Sequence, residues 1–408
     1  MKHLRPAAAL RRSWVGRWVA IPASWRRRTD WFPADTLIGQ VLRGLRIGAV
    51  TAFGIVLVVD WWRHGVPFDR TSLLLWIAIG LACACIGRHP VWLLWVLLDF
   101  VPLAAVLIVY DHLRGIADTV GMPTWWHPQV RVDRVLFLGH EPTVVLQEHL
   151  KFADVRWYDV AVCVCYYTFF FLPYLTAGVM WLRSRTDFYR WSLRFVALSF
   201  LGFLFFVLIP AAPPWAAARC TARDVAGHPS APPCMGDSQR AVTGGILGQY
   251  HGGRPGTNPY VERIVTRGFS DLHLRVATSL LEEGRVSADA VAAVPSLHLG
   301  GTVLFVLFMW SRVNRWWRPL LVAYPVLMTF SLVYSAEHYV ADCLAGALLA
   351  VVVHRTASWI ERRRKADHEP DTLGSAPVSG APAPSKRQPQ EISCPPSRPQ
   401  SETTPSST

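Results

Sequence analysis

The stretches Pro295-Ser296-Leu297-His298 and Glu337-His338-Tyr339-Val340-Ala341-Asp342 each set a histidine at the start of a long apolar run. In the second, His338 and Asp342 are four residues apart, so on a helix they share a face and the carboxylate can accept the imidazole N–H. In the first, Pro295 suits a helix start, Ser296 can cap it, and His298 falls in the first turn, where unpaired backbone N–H groups attract an anion. An oriented imidazole is a potential nucleophile, and two histidines beside an anion-attracting helix start point to phosphoryl transfer.

Along the whole chain, about eight runs have the length and apolarity of membrane spans: roughly 44–60, 72–87, 90–110, 157–182, 191–210, 296–312, 319–335 and 339–356. The second and sixth are near the short limit for a hydrocarbon core of about 30 Å. With 52% hydrophobic residues, 19 Trp and a mean hydropathy of +0.25, the chain of 408 residues reads as an all-α polytopic membrane helical bundle. About eight transmembrane helices are expected, six of them forming the core.

The formal charge of +13 does not indicate nucleic-acid binding, because the arginines lie in the N-terminal segment, in short connections and after the last run. With the N-terminus inside, the arginine-bearing connections fall on the cytoplasmic side, and an even number of spans returns the C-terminus there. The long loops, about 111–156 and 211–295, then lie outside together with both histidine motifs. The expected organisation is a basic cytoplasmic segment (1–43), three membrane helices (44–110), a first outer loop (111–156), a catalytic membrane domain (157–356) and a basic, then disordered, cytoplasmic tail (357–408). No cleavable signal peptide is expected.

Cys83, Cys85, Cys163, Cys165 and Cys343 lie within runs and Cys394 in the tail, whereas Cys220 and Cys234 share the larger outer loop and are candidates for a disulfide. His127, His140, His149, His228, His251 and His273 have no metal-ligand spacing and read as solvated. Neither a metal nor any other cofactor is expected. Asp99, inside the third run, is either a functional carboxylate or a structural hydrogen-bond partner of a neighbouring helix.

P-S-L-H, followed two runs later by S-x-x-H-Y-x-x-D, resembles the second and third signature motifs of the type 2 phosphatidic acid phosphatase superfamily. The H-Y-x-x-D form, with Ala212-Pro213-Pro214-Trp215 ending the run before the large outer loop, resembles its inositolphosphotransferase and inositol phosphorylceramide synthase-like branch. The likeness covers roughly 157–356, and more loosely the segment around Asp133 to Pro142. It implies a helical bundle reached sideways by a membrane phospholipid or lipid-linked substrate. His338 would form a phosphohistidine, Asp342 would fix its tautomer, and His298 would protonate the leaving oxygen.

Arg183 and Arg190 imitate the superfamily's first motif, but the topology puts them across the bilayer from the histidines. Phosphate contacts are expected instead from Ser296 and from the outer-loop Arg263, with Arg219 second. Tyr167 and Trp215 are expected near the headgroup, and Tyr166 is a further candidate. Transfer of phosphoinositol between lipids is the leading expectation. Hydrolysis of phosphatidic acid, phosphatidylglycerol phosphate or a polyprenyl pyrophosphate is the alternative, and lipid transport without chemistry a third. The oligomeric state is left open.

Overall fold

In hydrocarbon a backbone amide finds a partner only inside its own segment, so each long apolar run must be helical. The computed structural model describes residues 30–33, 35–64, 70–89, 91–114, 120–252, 254–271 and 291–366. Most of the basic N-terminal segment, the expected disordered tail beyond 366, Cys394 and His273 lie outside the described residues. The helices are α1 (Leu37–His64), α2 (Arg70–Ala84), α3 (Val91–Arg114), α4 (Pro128–Leu136), α5 (Pro142–Leu150), α6 (Trp157–Arg183), α7 (Arg185–Leu208), α8 (Pro214–Ala217), α9 (Gly268–Asp271), α10 (Leu297–Met309), α11 (Arg318–Tyr334) and α12 (Val340–Ala366). Among the described residues extended pairing is limited to isolated bridges.

The chain is a polytopic helical bundle. Helices α1, α3, α6, α7, α11 and α12 are long and apolar enough to cross a membrane, and α2 and α10 are shorter apolar helices of 15 and 13 residues. These two are the second and sixth runs, as their length in the sequence requires. Five of the eight fall within 157–356, so a six-helix core has to draw its sixth member from α1–α3; α2 packs on α6 and α3 on α7. The chain divides into two compact units, residues 1–359 and 360–408, and the described part of the second is the end of α12.

One connection differs from expectation. The segment 183–190 is not a loop: the chain turns at Ser184, whose side chain accepts the Asp187 N–H at 3.3 Å, and α7 begins at Arg185. Charged residues can occupy that first turn because each finds a partner. Arg185 donates to both oxygens of Asp99 at 2.7 and 2.6 Å, and Asp187 receives Arg190 and Arg312 at 3.3 and 2.8 Å. Trp181 Nε1 at 2.7 Å and the Tyr189 hydroxyl also donate to Asp99. Asp99 is therefore a tie between α3, α6 and α7 at the bundle end away from the histidines, where burial of a carboxylate requires such pairing.

At the histidine end, α4, α5 and the segment 210–271 fold over the helix ends. Fully buried Gln147 on α5 donates to the carbonyls of Glu262 and Tyr334 at 2.7 and 2.8 Å and accepts the Glu262 N–H at 2.9 Å. A Cys220–Cys234 disulfide, with Cα atoms 5.3 Å apart, closes the following loop.

Helices α10 and α12 cross almost backbone to backbone. A Cβ on Gly346 would lie 2.1 Å from the Ser296 carbonyl oxygen, and one on Gly300 would lie 3.1 Å from that of Gly346. The Ser296 N–H reaches the Asp342 carbonyl at 3.0 Å across the same crossing. Glycine at the contact lets two membrane helices approach this closely, and the approach brings His298 to His338. Gly346→Ala should therefore separate the helices, lowering the melting temperature in detergent by an amount equivalent to about 1–3 kcal/mol. An unchanged melting temperature would contradict the close crossing.

Candidate active site

The start of α12 is buried under α4 and carries unpaired N–H groups that need acceptors. Asp133 of α4 provides two, with Oδ2 accepting from Val340 N at 2.9 Å and Oδ1 from Ala341 N at 2.8 Å. Asp342, in the first turn, provides the third by accepting Tyr339 N at 2.9 Å on Oδ2, as the acid of a capping box does. Burial pushes the Asp133 carboxyl up to about 6 against the pull of these two donors, so at neutral pH it is anionic.

This capping fixes the turn that holds His338. The residue lies just before α12 rather than within it, yet the four-residue spacing still brings its Nδ1 to 3.5 Å from Asp342 Oδ2. Its other nitrogen, Nε2, faces Nδ1 of His298 at 3.4 Å. His298 sits in the first turn of α10, as expected, with Ser296 capping that helix by accepting the Leu299 N–H at 3.4 Å. The His298 ring packs against Tyr166, stacked at 4.7 Å between centroids, and against Phe169, tilted at 4.1 Å. Tyr166, not Tyr167, is thus the tyrosine against the histidine pair; Tyr167 packs edge-on to Phe269 at 5.9 Å. A tyrosine pair on a helix leaves open which member faces inward until the packing is known.

Two arginines flank Trp215. The guanidinium carbons of Arg219 and Arg263 lie 5.1 and 5.2 Å from its ring centroid, and the Trp215 N–H donates to the Ala336 carbonyl at 3.2 Å, two residues before His338. Arg263 is engaged by Glu337 in a two-pronged pair at 2.8 and 2.7 Å, and this carboxylate outweighs burial in keeping the guanidinium charged. Arg219 donates Nη1 to the Met235 carbonyl at 2.7 Å. Burial, and then the neighbouring Arg263, pull Arg219 below the usual guanidinium value, which places the two cations within each other's field. Ser296 is fully buried, and the groups it uses for capping and for the α10–α12 crossing face protein.

Asp133 as a cap, Glu337 as the Arg263 partner, and the buried Glu141 are not marked by any motif in the sequence. Glu141 is 5% exposed, and neither carboxyl oxygen has a hydrogen-bond partner among the described residues. Burial, and then the charge of Asp133, push it up to about 8, so it stays protonated at neutral pH. Nothing in its sequence context, Gly139-His140-Glu141-Pro142, signals burial, because the apolar surroundings come from other parts of the chain.

A family model described as PAP2 superfamily matches residues 128–356, more than half of the chain. The match begins at α4 and so includes Asp133, a wider span than the motifs alone mark. No curated protein and no solved structure matches the chain.

Glu141 makes the stability of the fold depend on pH. The unfolded chain ionises it near its ordinary 4.5 and the folded chain near 8, so the folded state holds one more proton between these values. Stability is unaffected below that window and falls as pH rises through it. Glu141→Gln removes the effect, so the melting temperature of the wild type should drop relative to the variant between about pH 5 and 8; parallel curves would contradict the assignment.

Proposed function

The chain belongs to the PAP2 superfamily of phosphatase-type lipid enzymes, and on that footing we propose an integral membrane phosphotransferase that moves phosphoinositol between lipids through a phosphohistidine on His338. The observation that carries the reading is the asymmetric environment of one imidazole: Asp342 at Nδ1 and His298 at Nε2. A carboxylate beside Nδ1 favours the tautomer with the proton there, which leaves the Nε2 lone pair for attack on phosphorus.

In the first step Nε2 bonds to phosphorus and the bond to the diacylglycerol oxygen breaks, with His298 giving that oxygen its proton. In the second, an acceptor alcohol returns a proton to His298, its oxygen bonds to phosphorus, and the P–N bond breaks. Imidazole suits both roles because its unperturbed pKa lies near neutrality. Asp342 offsets the positive charge that develops on His338. The resting nitrogens are too close for a phosphoryl group to lie in line between them, so substrate entry has to part the rings. The arginines on Trp215 supply the positive field for the phosphate. Arg219 has more donors available than Arg263, whose fork is already taken by Glu337.

Arginine placement supports an outward-facing site, with both chain termini cytoplasmic. Water in place of the acceptor alcohol would make the same residues a phosphatase, the reading that the family description itself favours. Headgroup release from labelled phosphatidylinositol and phosphatidic acid, with and without lipid alcohols, separates the readings. Acceptor-dependent transfer that His338→Ala lowers by at least about 10³-fold is expected, as for loss of a nucleophile. Free phosphate from phosphatidic acid without an acceptor would replace transferase by phosphatase. Equal activity in wild type and variant would remove the catalytic role and favour transport.

A further inference from the structure

Helix α4 has two faces. Val130 and Asp133 are buried, Asp133 on the start of α12, while His127, Arg131 and Arg134 recur at i, i+4 and i+7 on the other side. These three residues line two adjoining hollows of about 440 and 390 Å³, which share His127 and Arg131 as walls, and Val130 borders the second. His228 and Trp125 line the first and Arg134 the second. No carboxylate lines either hollow among the described residues.

The walls are tied together before any ligand arrives. Thr124 N donates to the His228 carbonyl at 3.0 Å, His228 Nδ1 lies 3.0 Å from the Thr124 carbonyl, and Trp126 Nε1 donates to the Pro229 carbonyl at 3.0 Å. Across the second hollow, Arg134 Nη2 donates to the carbonyls of Ile246 and Leu247 at 3.0 and 2.8 Å. Arg131 is exposed, and its guanidinium has no hydrogen-bond or ion-pair partner among the described residues. Burial, then Arg131 and His228, hold the His127 imidazole below its usual value, so these groups lie within one another's field. A hollow walled by two histidines and an arginine without a bonded partner, with no carboxylate among its described lining residues, is suited to an anion, and a guanidinium fork matches phosphate oxygens.

We propose that this cleft is a second anion subsite, separate from the histidine pair, which takes a phosphate ester between Arg131, His127 and His228. The sequence alone left His127 and His228 as isolated solvated residues, since nothing in their spacing shows that the two outer loops meet.

Arginine modification by phenylglyoxal, read residue by residue by mass spectrometry on full-length protein in phosphatidylcholine nanodiscs, tests the proposal without any activity readout. The probes are inorganic phosphate, glycerol phosphate and nanodiscs containing phosphatidic acid. Exposed Arg223 serves as the unprotected control, and Arg219 and Arg263 report on the histidine site independently. Arg131 should be protected relative to Arg223. Protection by the soluble probes assigns a free phosphate ester, and protection by phosphatidic acid alone assigns a lipid headgroup. The double variant His127→Ala/His228→Ala should raise the half-protecting concentration about tenfold, the loss expected when charge-assisted hydrogen bonds are removed. Arg131 modification unaffected by every probe, or protection that the double variant leaves unchanged, would overturn the proposal. Failure of lipid transfer would not bear on it.

Discussion

A buried helix start needs acceptors for its first N–H groups, and in this protein the Asp133 carboxylate supplies two of them for α12. The interaction is long-range in sequence, joining an extramembrane helix to the last span. It sets where α12 begins, and hence where the turn carrying His338 stands. Asp342 completes the capping through Tyr339 N–H and, with the same oxygen, faces His338 Nδ1. One carboxylate oxygen thus both caps the helix and stands beside the imidazole.

The second constraint is the glycine crossing of α10 and α12. Without side chains at Gly300 and Gly346 the helices meet closely enough for His298 to face His338. Aromatic rings from α6 then fix the His298 plane. Each histidine is oriented by a different helix, so the pair depends on the crossing rather than on any local motif. Around it lie carboxyl groups in contrasting states. Backbone donors limit the rise that burial imposes on Asp133 to about 6, whereas Glu141, without such donors, is pushed up to about 8. One helix, α4, joins these features to the basic cleft on its far side.

Much of this was legible in the sequence. Apolar runs predicted the long helices and the short α2 and α10, and the spacing of His338 and Asp342 placed the two side chains side by side, at 3.5 Å, even though His338 precedes its helix. Ser296 was legible as a cap because capping is local chemistry. What stayed hidden depends on tertiary packing. Asp99 could not be assigned until Arg185 was seen to reach it, which also extended α7 through a segment expected to be a loop. Tyr166 and Tyr167 are indistinguishable until α6 is rotated into place. Asp133, Glu141 and the meeting of His127 with His228 require knowing how α4, α5 and the long loop after α7 fold over the bundle.

In the proposed reaction Nε2 of His338 carries the phosphoryl-linked headgroup. Rapid acid-free quenching of protein incubated with phosphorus-labelled lipid, followed by digestion and mass spectrometry, tests it directly. An acid-labile, alkali-stable adduct on Nε2 of His338 that appears before product is expected. Turnover with label on another residue, or with no phosphoenzyme on the time scale of product formation, would contradict it.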